Sequence, residues 1–223
     1  MNLVRSEWGM NIVFQENKVV ILVIENPEVM LETVLDFFHQ SQGEEGKLAL
    51  CDNGEMCSFE KKAELILNPF SIDLNSKKIR LKLYHELKRE ADEGYYQEYL
   101  KLVSEIQRYL EQIARGLLYP INYKTELQVV DLLKVCDVGI EEESGAFEQK
   151  IAEYMKLVRQ LCGVELIVFV NIKAYLREEQ ILELYKTAFY YNIKVLMIEN
   201  QSRKLLDNEK LFIIDSDKCL IEC

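Results

Sequence analysis

Residues that bend or break a backbone are scarce in this chain of 223 residues, which has three prolines and nine glycines. So few leave little room for disordered linkers. No run of about 18 apolar residues occurs, so no membrane-spanning helix is expected. The first residues, MNLVRSEWGMN, carry neither the apolar core nor the cleavage site of a signal peptide, which makes the cytoplasm the expected compartment. Histidine is nearly absent: His39 and His85 are the only two, which removes most His-based metal and triad chemistry. Cys51, Cys57, Cys136, Cys162, Cys219 and Cys223 make no CxxC pair and no zinc ligand spacing. They read as small buried or reduced thiols. No nucleophile–base pair emerges, and no cofactor is called for.

What is present is enough apolar residue, 49%, for a full core in one large or two small domains. Residues 18–41, KVVILVIENPEVMLETVLDFFHQS, read as a buried strand running into a helix. Asn26 is placed to cap that helix and Pro27 to open it, where a missing N–H costs nothing. In a nucleotide hydrolase of this architecture the junction holds a Gly-rich loop and a Lys that wrap phosphates. Here it is Glu25-Asn26-Pro27, with no glycine, no Lys and an added negative charge. The second strand of such enzymes ends on an acid that holds the magnesium shell, whereas ELIVFV (165–170) ends on neutral Asn171. Glu25 and Glu199 stand at strand ends, and without a partner base both read as solvated loop carboxylates rather than catalytic ones.

The rest of the pattern alternates strand and helix. Leu3–Arg5 and Asn11–Phe14 suit a hairpin around Gly9. The helix after Pro27 has apolar residues at Val29, Leu31, Val34, Leu35 and Phe38, close to the 3.6 period. Strands fit Lys47–Cys51 and Ala63–Leu67, joined by a turn at Asp52-Asn53-Gly54. Strands at 165–170, 194–198, 211–214 and 219–221 and a helix over 177–191 complete an α/β body with a mainly parallel sheet. Between them the stretch 78–162 reads as helical. Tyr96, Tyr99, Val103, Ile106, Leu110, Ile113 and Leu117 form one stripe on a long helix. A second helix fits 125–136 and a third 144–162, with Ser144 as its N-cap. Either this is an inserted helical leg, or it is three ordinary core-packing helices. The expected domains are an α/β head, 1–77 with 163–223, and a leg, 78–162.

Formal net charge is −11, so the mean field opposes indiscriminate nucleic-acid binding but leaves room for a local basic surface. Such a surface is offered by DLNSKKIRLKLYHELKR (73–89), where Lys77, Lys78, Arg80 and Lys82 load the opening turns of a helix. Cations there oppose the helix dipole, which suggests that they serve an anion. Lys61 and Lys62 lie just upstream. The competing reading is a solvated face paired with Glu86 and Glu90. Glu141, Glu142 and Glu143, with Asp137, form an acidic loop without the spacing of a calcium-binding loop.

The segments NPFSIDLNSKKIRLKLYHEL (68–87) and ELIVFVNIKAYLREEQILELYKTAFYYNIKVLMIEN (165–200) resemble the Csn-two family of CRISPR-associated proteins from type II-A systems. The likeness extends over most of the chain in length and element order. It implies a head like a P-loop ATPase that has lost its nucleotide site, a long helical leg and no catalysis. It further implies a homotetrameric ring whose basic hole holds double-stranded DNA entered from an end, working in spacer acquisition beside the integrase and effector nuclease of the locus. Members bind calcium through an acid-rich stretch after the long leg helix. The matching stretch here, YPINYKTELQ (119–128), has Glu126 as its only acid and Lys124 within it, so calcium is not expected at that place. The readings carried forward are a non-catalytic DNA-binding ring, a degenerate nucleotide hydrolase, and a protein-binding scaffold of the adaptation complex.

Overall fold

The structure is a computed structural model that describes residues 1–142, 145–215 and 217–222. Two compact units divide the chain, Met1–Leu74 with Glu143–Cys223 as the first and Asn75–Glu142 as the second.

The first unit is built on β3 (Val19–Ile24), all six of whose residues are buried, as befits a strand covered on both faces. It pairs in parallel with β8 (Lys194–Glu199) on one side and β9 (Glu209–Ile214) on the other. Outward from β8 lie β7 (Leu166–Val170) and β6 (Ala63–Ile66), both parallel, while β10 (Leu220–Glu222) closes the other edge antiparallel to β9. The sheet is therefore mixed and mostly parallel. A second, antiparallel sheet holds the hairpin of β1 (Asn2–Arg5) and β2 (Met10–Val13), joined through β1 to β4 (Ala49–Asp52) and then β5 (Glu55–Cys57). The expected turn at 52–54 thus joins β4 to β5, a short strand that alternation alone did not mark, rather than to β6. Between β5 and β6 sits the single-turn helix α2 (Phe59–Lys62).

Helix α1 (Pro27–Ser41) starts as its sequence dictates, with the Asn26 Oδ1 accepting from the N–H groups of Glu28 at 2.9 Å and Val29 at 3.4 Å. Its buried face differs from the apolar stripe. Val29, Thr33, Asp36 and Phe37 are inside, while Leu31, Leu35 and Phe38 are exposed. The reason is polar: the Asp36 carboxylate accepts the backbone N–H groups of Lys47 and Leu48, each at 2.9 Å, and turns that face toward the chain entering β4.

The second unit contains α3 (Lys77–Gly94), α4 (Tyr96–Ala114) and α5 (Val129–Val135), so the helical stretch breaks at Tyr95. The Asn75 side chain donates to the Ile140 carbonyl at 2.9 Å and accepts the Ile140 N–H at 2.8 Å, closing the base of the unit. The unit ends earlier than the helical pattern suggested, because α6 (Phe147–Cys162) belongs to the first. Ile151, Tyr154, Met155, Leu157 and Val158 of α6 are buried, it packs against α7 (Glu178–Tyr190), and the Tyr154 hydroxyl donates to Glu64 at 2.7 Å. Ser144, expected as the cap of α6, and Glu143 of the acidic loop lie outside the described residues, as does Cys223. Ala146 holds the cap position, its N–H donating to Gln149 at 3.0 Å.

Candidate nucleic-acid interface

The strand–helix junction that would cradle phosphate in a nucleotide hydrolase is a cavity of about 830 Å³ lined by Glu25, Asn26, Pro27, Glu28, Ile213, Ile214 and Asp215. Three of those seven residues are carboxylates and none is a cation. No residue from 24 to 28 has positive φ, so the backbone forms no N–H nest there. Asn171 takes the left-handed conformation, φ 54°, and its Oδ1 accepts the Asn200 N–H at 3.1 Å, tying the ends of β7 and β8 together. The two strand-end carboxylates differ. Glu25 is exposed, but Glu199 is 1% exposed, which overturns its reading as a solvated loop carboxylate. Burial raises its pKa, and its Oε1 accepts the Lys173 N–H at 3.1 Å.

Ser76 caps α3, its hydroxyl accepting from Ile79 N–H, and the first turn of α3 holds no acid to offset its cations. Lys77, Lys78 and Lys82 are exposed. Among the described residues no ion pair holds Lys77 or Lys82. The pairing expected with Glu86 and Glu90 goes instead to Arg89, at 3.8 Å and 3.6 Å. Arg80 is different, because its Nη1 lies 2.5 Å from Asp137 Oδ1 and the carboxylate raises its pKa. It is a brace within the second unit, and Asp137 is thereby removed from any cation site. Lys62 is likewise bonded to Glu165, which raises its pKa, while Lys61 is exposed with no ion pair among the described residues. The six nominated cations do not form one cluster within a unit: Lys77, Lys78, Arg80 and Lys82 are in the second, Lys61 and Lys62 in the first.

Among the described residues no group of acids, histidines or cysteines is arranged to hold a metal. In 119–128, Lys124 pairs with Asp131 at 2.6 Å and the Tyr99 hydroxyl donates to the Leu127 carbonyl. Helix α4 buries none of its residues. Tyr96, Leu102, Tyr109 and Ile113 are 50%, 49%, 63% and 50% exposed, and Tyr95, just before the helix, is 64% exposed. No helix among the described residues is long and apolar enough to cross a membrane.

These features define an α/β protein with a mixed, mostly parallel sheet and a helical insertion between β6 and α6, whose strand–helix junction faces carboxylates where a phosphate site would need cations. The CRISPR-associated protein (Cas_Csn2) family matches residues 40–218, and the chain belongs to it. The CRISPR-associated protein Csn2 of Streptococcus agalactiae is 27% identical over 212 residues, 90% of this chain and 89% of that protein. Two solved structures overlay more loosely. A bacterial Atm1-family ABC exporter with ATP bound gives a TM-score of 0.44 at 11% identity, covering 93% of this chain and 33% of the exporter. The cbiO1 protein of Clostridium perfringens, part of the ABC transporter complex cbiONQ, gives 0.47 at 13% identity over 96% and 79%.

Proposed function

We propose that this CRISPR-associated protein is a non-catalytic, sequence-independent binder of double-stranded DNA that works as a homotetrameric ring in spacer acquisition, beside the integrase and effector nuclease. Its head is then a P-loop-type fold stripped of phosphate chemistry, its second unit the leg, and its setting cytoplasmic. The observation that carries DNA binding is the start of α3, where Lys77, Lys78 and Lys82 are exposed on the opening two turns of a helix whose first acid is Glu86, in a chain of net charge −11. Such cations contact phosphates without reading bases. Lys61 is a weaker contact, and Arg80 and Lys62 act through their internal ion pairs. The unburied α4 supports the assembly, and the carboxylates at Glu25, Glu28 and Asp215 speak against a nucleotide hydrolase at that junction.

The test is fluorescence anisotropy on linear duplex over a salt series, for the wild type and a Lys77→Ala/Lys78→Ala/Lys82→Ala variant of unchanged mass and helicity. The variant loses at least about tenfold in affinity, and its log–log salt slope becomes shallower by about 0.9 for each phosphate contact removed. Equal affinity and equal slope would exclude this face.

A further inference from the structure

Away from the α3 cations, the first unit carries a second polar feature that the DNA reading leaves unused. A cavity of about 630 Å³ opens between the turn after β7, the first turn of α7 and the 200–208 loop. Its volume falls in the range of small-molecule sites, about 300–1,000 Å³. Arg177, Arg203 and Lys204 line it together with Glu178 and Glu179, and all five are exposed. None of the five is in an ion pair among the described residues, although opposite charges share one cavity. Charges that line a cavity without pairing are available to groups supplied from outside.

Beneath the cavity lies a buried ionisable network. Lys173, which lines it, is 6% exposed and its Nζ lies 2.6 Å from Glu209 Oε1. The Tyr185 hydroxyl also donates to Glu209, and the Leu206 N–H donates to Glu209 Oε2 at 2.9 Å, which fastens the loop to the network. Glu199 is 1% exposed and held against two lining residues, through the Lys173 N–H and the nearby Arg203 charge, yet its Oε2 has no hydrogen-bond partner. A buried carboxyl oxygen without a partner costs stability, as does a buried ion pair, and neither is needed to hold an apolar sheet together. Both lie beneath a cavity and reach it through Lys173, which lines it, and ionisable groups perturbed next to a cavity are where a ligand is met.

We propose that this cavity binds a phosphorylated sugar, with the phosphate taken by Arg203, Lys204 and Arg177 and the sugar hydroxyls donating to Glu178 and Glu179. Cations outnumber carboxylates among the exposed lining, which suits a phosphate. The N-terminus of α7, a helix of 13 residues, adds its dipole to the same side. The carboxylates suit hydroxyl donors, which inorganic phosphate lacks. The site is separate from the Glu25 junction and does not depend on DNA binding.

Titration calorimetry of the full chain with ribose 5-phosphate, with inorganic phosphate and with ribose tests it. Ribose 5-phosphate binds, and inorganic phosphate and ribose each bind at least about tenfold more weakly, since each lacks one set of charged hydrogen bonds. Arg203→Ala/Lys204→Ala weakens ribose 5-phosphate at least about tenfold while melting temperature and duplex DNA affinity stay unchanged. Glu178→Gln/Glu179→Gln weakens ribose 5-phosphate but not inorganic phosphate. The proposal is overturned if ribose 5-phosphate gives no heat at millimolar concentration, if the Arg203/Lys204 variant binds it as the wild type does, or if that variant loses DNA affinity in step.

Discussion

At the scale of single residues, the first unit is fastened by charge as well as by apolar packing. Arg5 is fully buried, with its guanidinium 3.4 Å from the centre of the Trp8 ring and its Nη2 2.5 Å from Glu32. Lys218 and Lys47 reach the same carboxylate at 2.9 Å and 3.3 Å. These cations, Lys218 foremost, pull the Glu32 pKa from 4.5 down to about 2. A pKa depressed by folding contributes stability that is present above 4.5 and is lost as pH falls through about 2. A Glu32→Gln variant should therefore melt at a lower temperature than wild type at neutral pH, and the gap should close between those two values. A constant gap across that window would show that the charge of Glu32 is not what matters. Asp36→Ala is the companion case. It leaves the Lys47 and Leu48 N–H groups without their acceptor, an expected loss of about 2 kcal/mol or more, read by denaturant unfolding. The Asn26–Pro27 start of α1 was legible because a cap is local chemistry. Thr33 and Asp36 were not, because only the tertiary partner of Asp36 makes a polar residue an inward one.

Strands and helices were legible to the extent that their own faces declared them. β3 and β7 are apolar throughout and read as buried strands, and the αL residue Gly9 punctuates the N-terminal hairpin as expected. β5, three residues long and mostly exposed, carries no alternation to detect. α6 looked like a continuation of the helical stretch, since periodicity gives the apolar face of a helix and not what the face meets. α4 is the converse: it is strongly amphipathic, yet no residue of it is buried. Tyr99, Val103, Ile106 and Leu110 are half-buried while Tyr96, Leu102, Tyr109 and Ile113 stay exposed, apolar surface that the proposed assembly would cover. Leu102→Glu with Tyr109→Glu should lower the mass seen by light scattering from near four times the 26.2 kDa chain to a smaller species, with helicity retained. A wild-type mass of one chain at micromolar concentration would remove the ring altogether.

For the whole molecule, DNA binding is proposed for a chain of net charge −11, whose mean field would repel a polyanion. A ring of the kind proposed would set an acidic exterior apart from a basic lumen. The exposure of the nominated cations was legible in part. The loaded start of α3 stood out against its own helix dipole, but sequence could not separate Lys77 and Lys82 from Arg80, whose partner Asp137 is 57 positions away. Nor could it show Glu199 as buried, since a strand-end Glu reads as solvated until its tertiary partner, the Lys173 N–H, is in place. The most direct measurement compares linear duplex with covalently closed circular duplex of the same sequence, across a salt series, using the purified full chain. A threaded ring binds linear DNA and releases it as salt rises, with little regard for base composition, and binds closed circles far more weakly because a circle offers no end. Equal affinity for circles and linear DNA would contradict threading, and the ring account would fall with it.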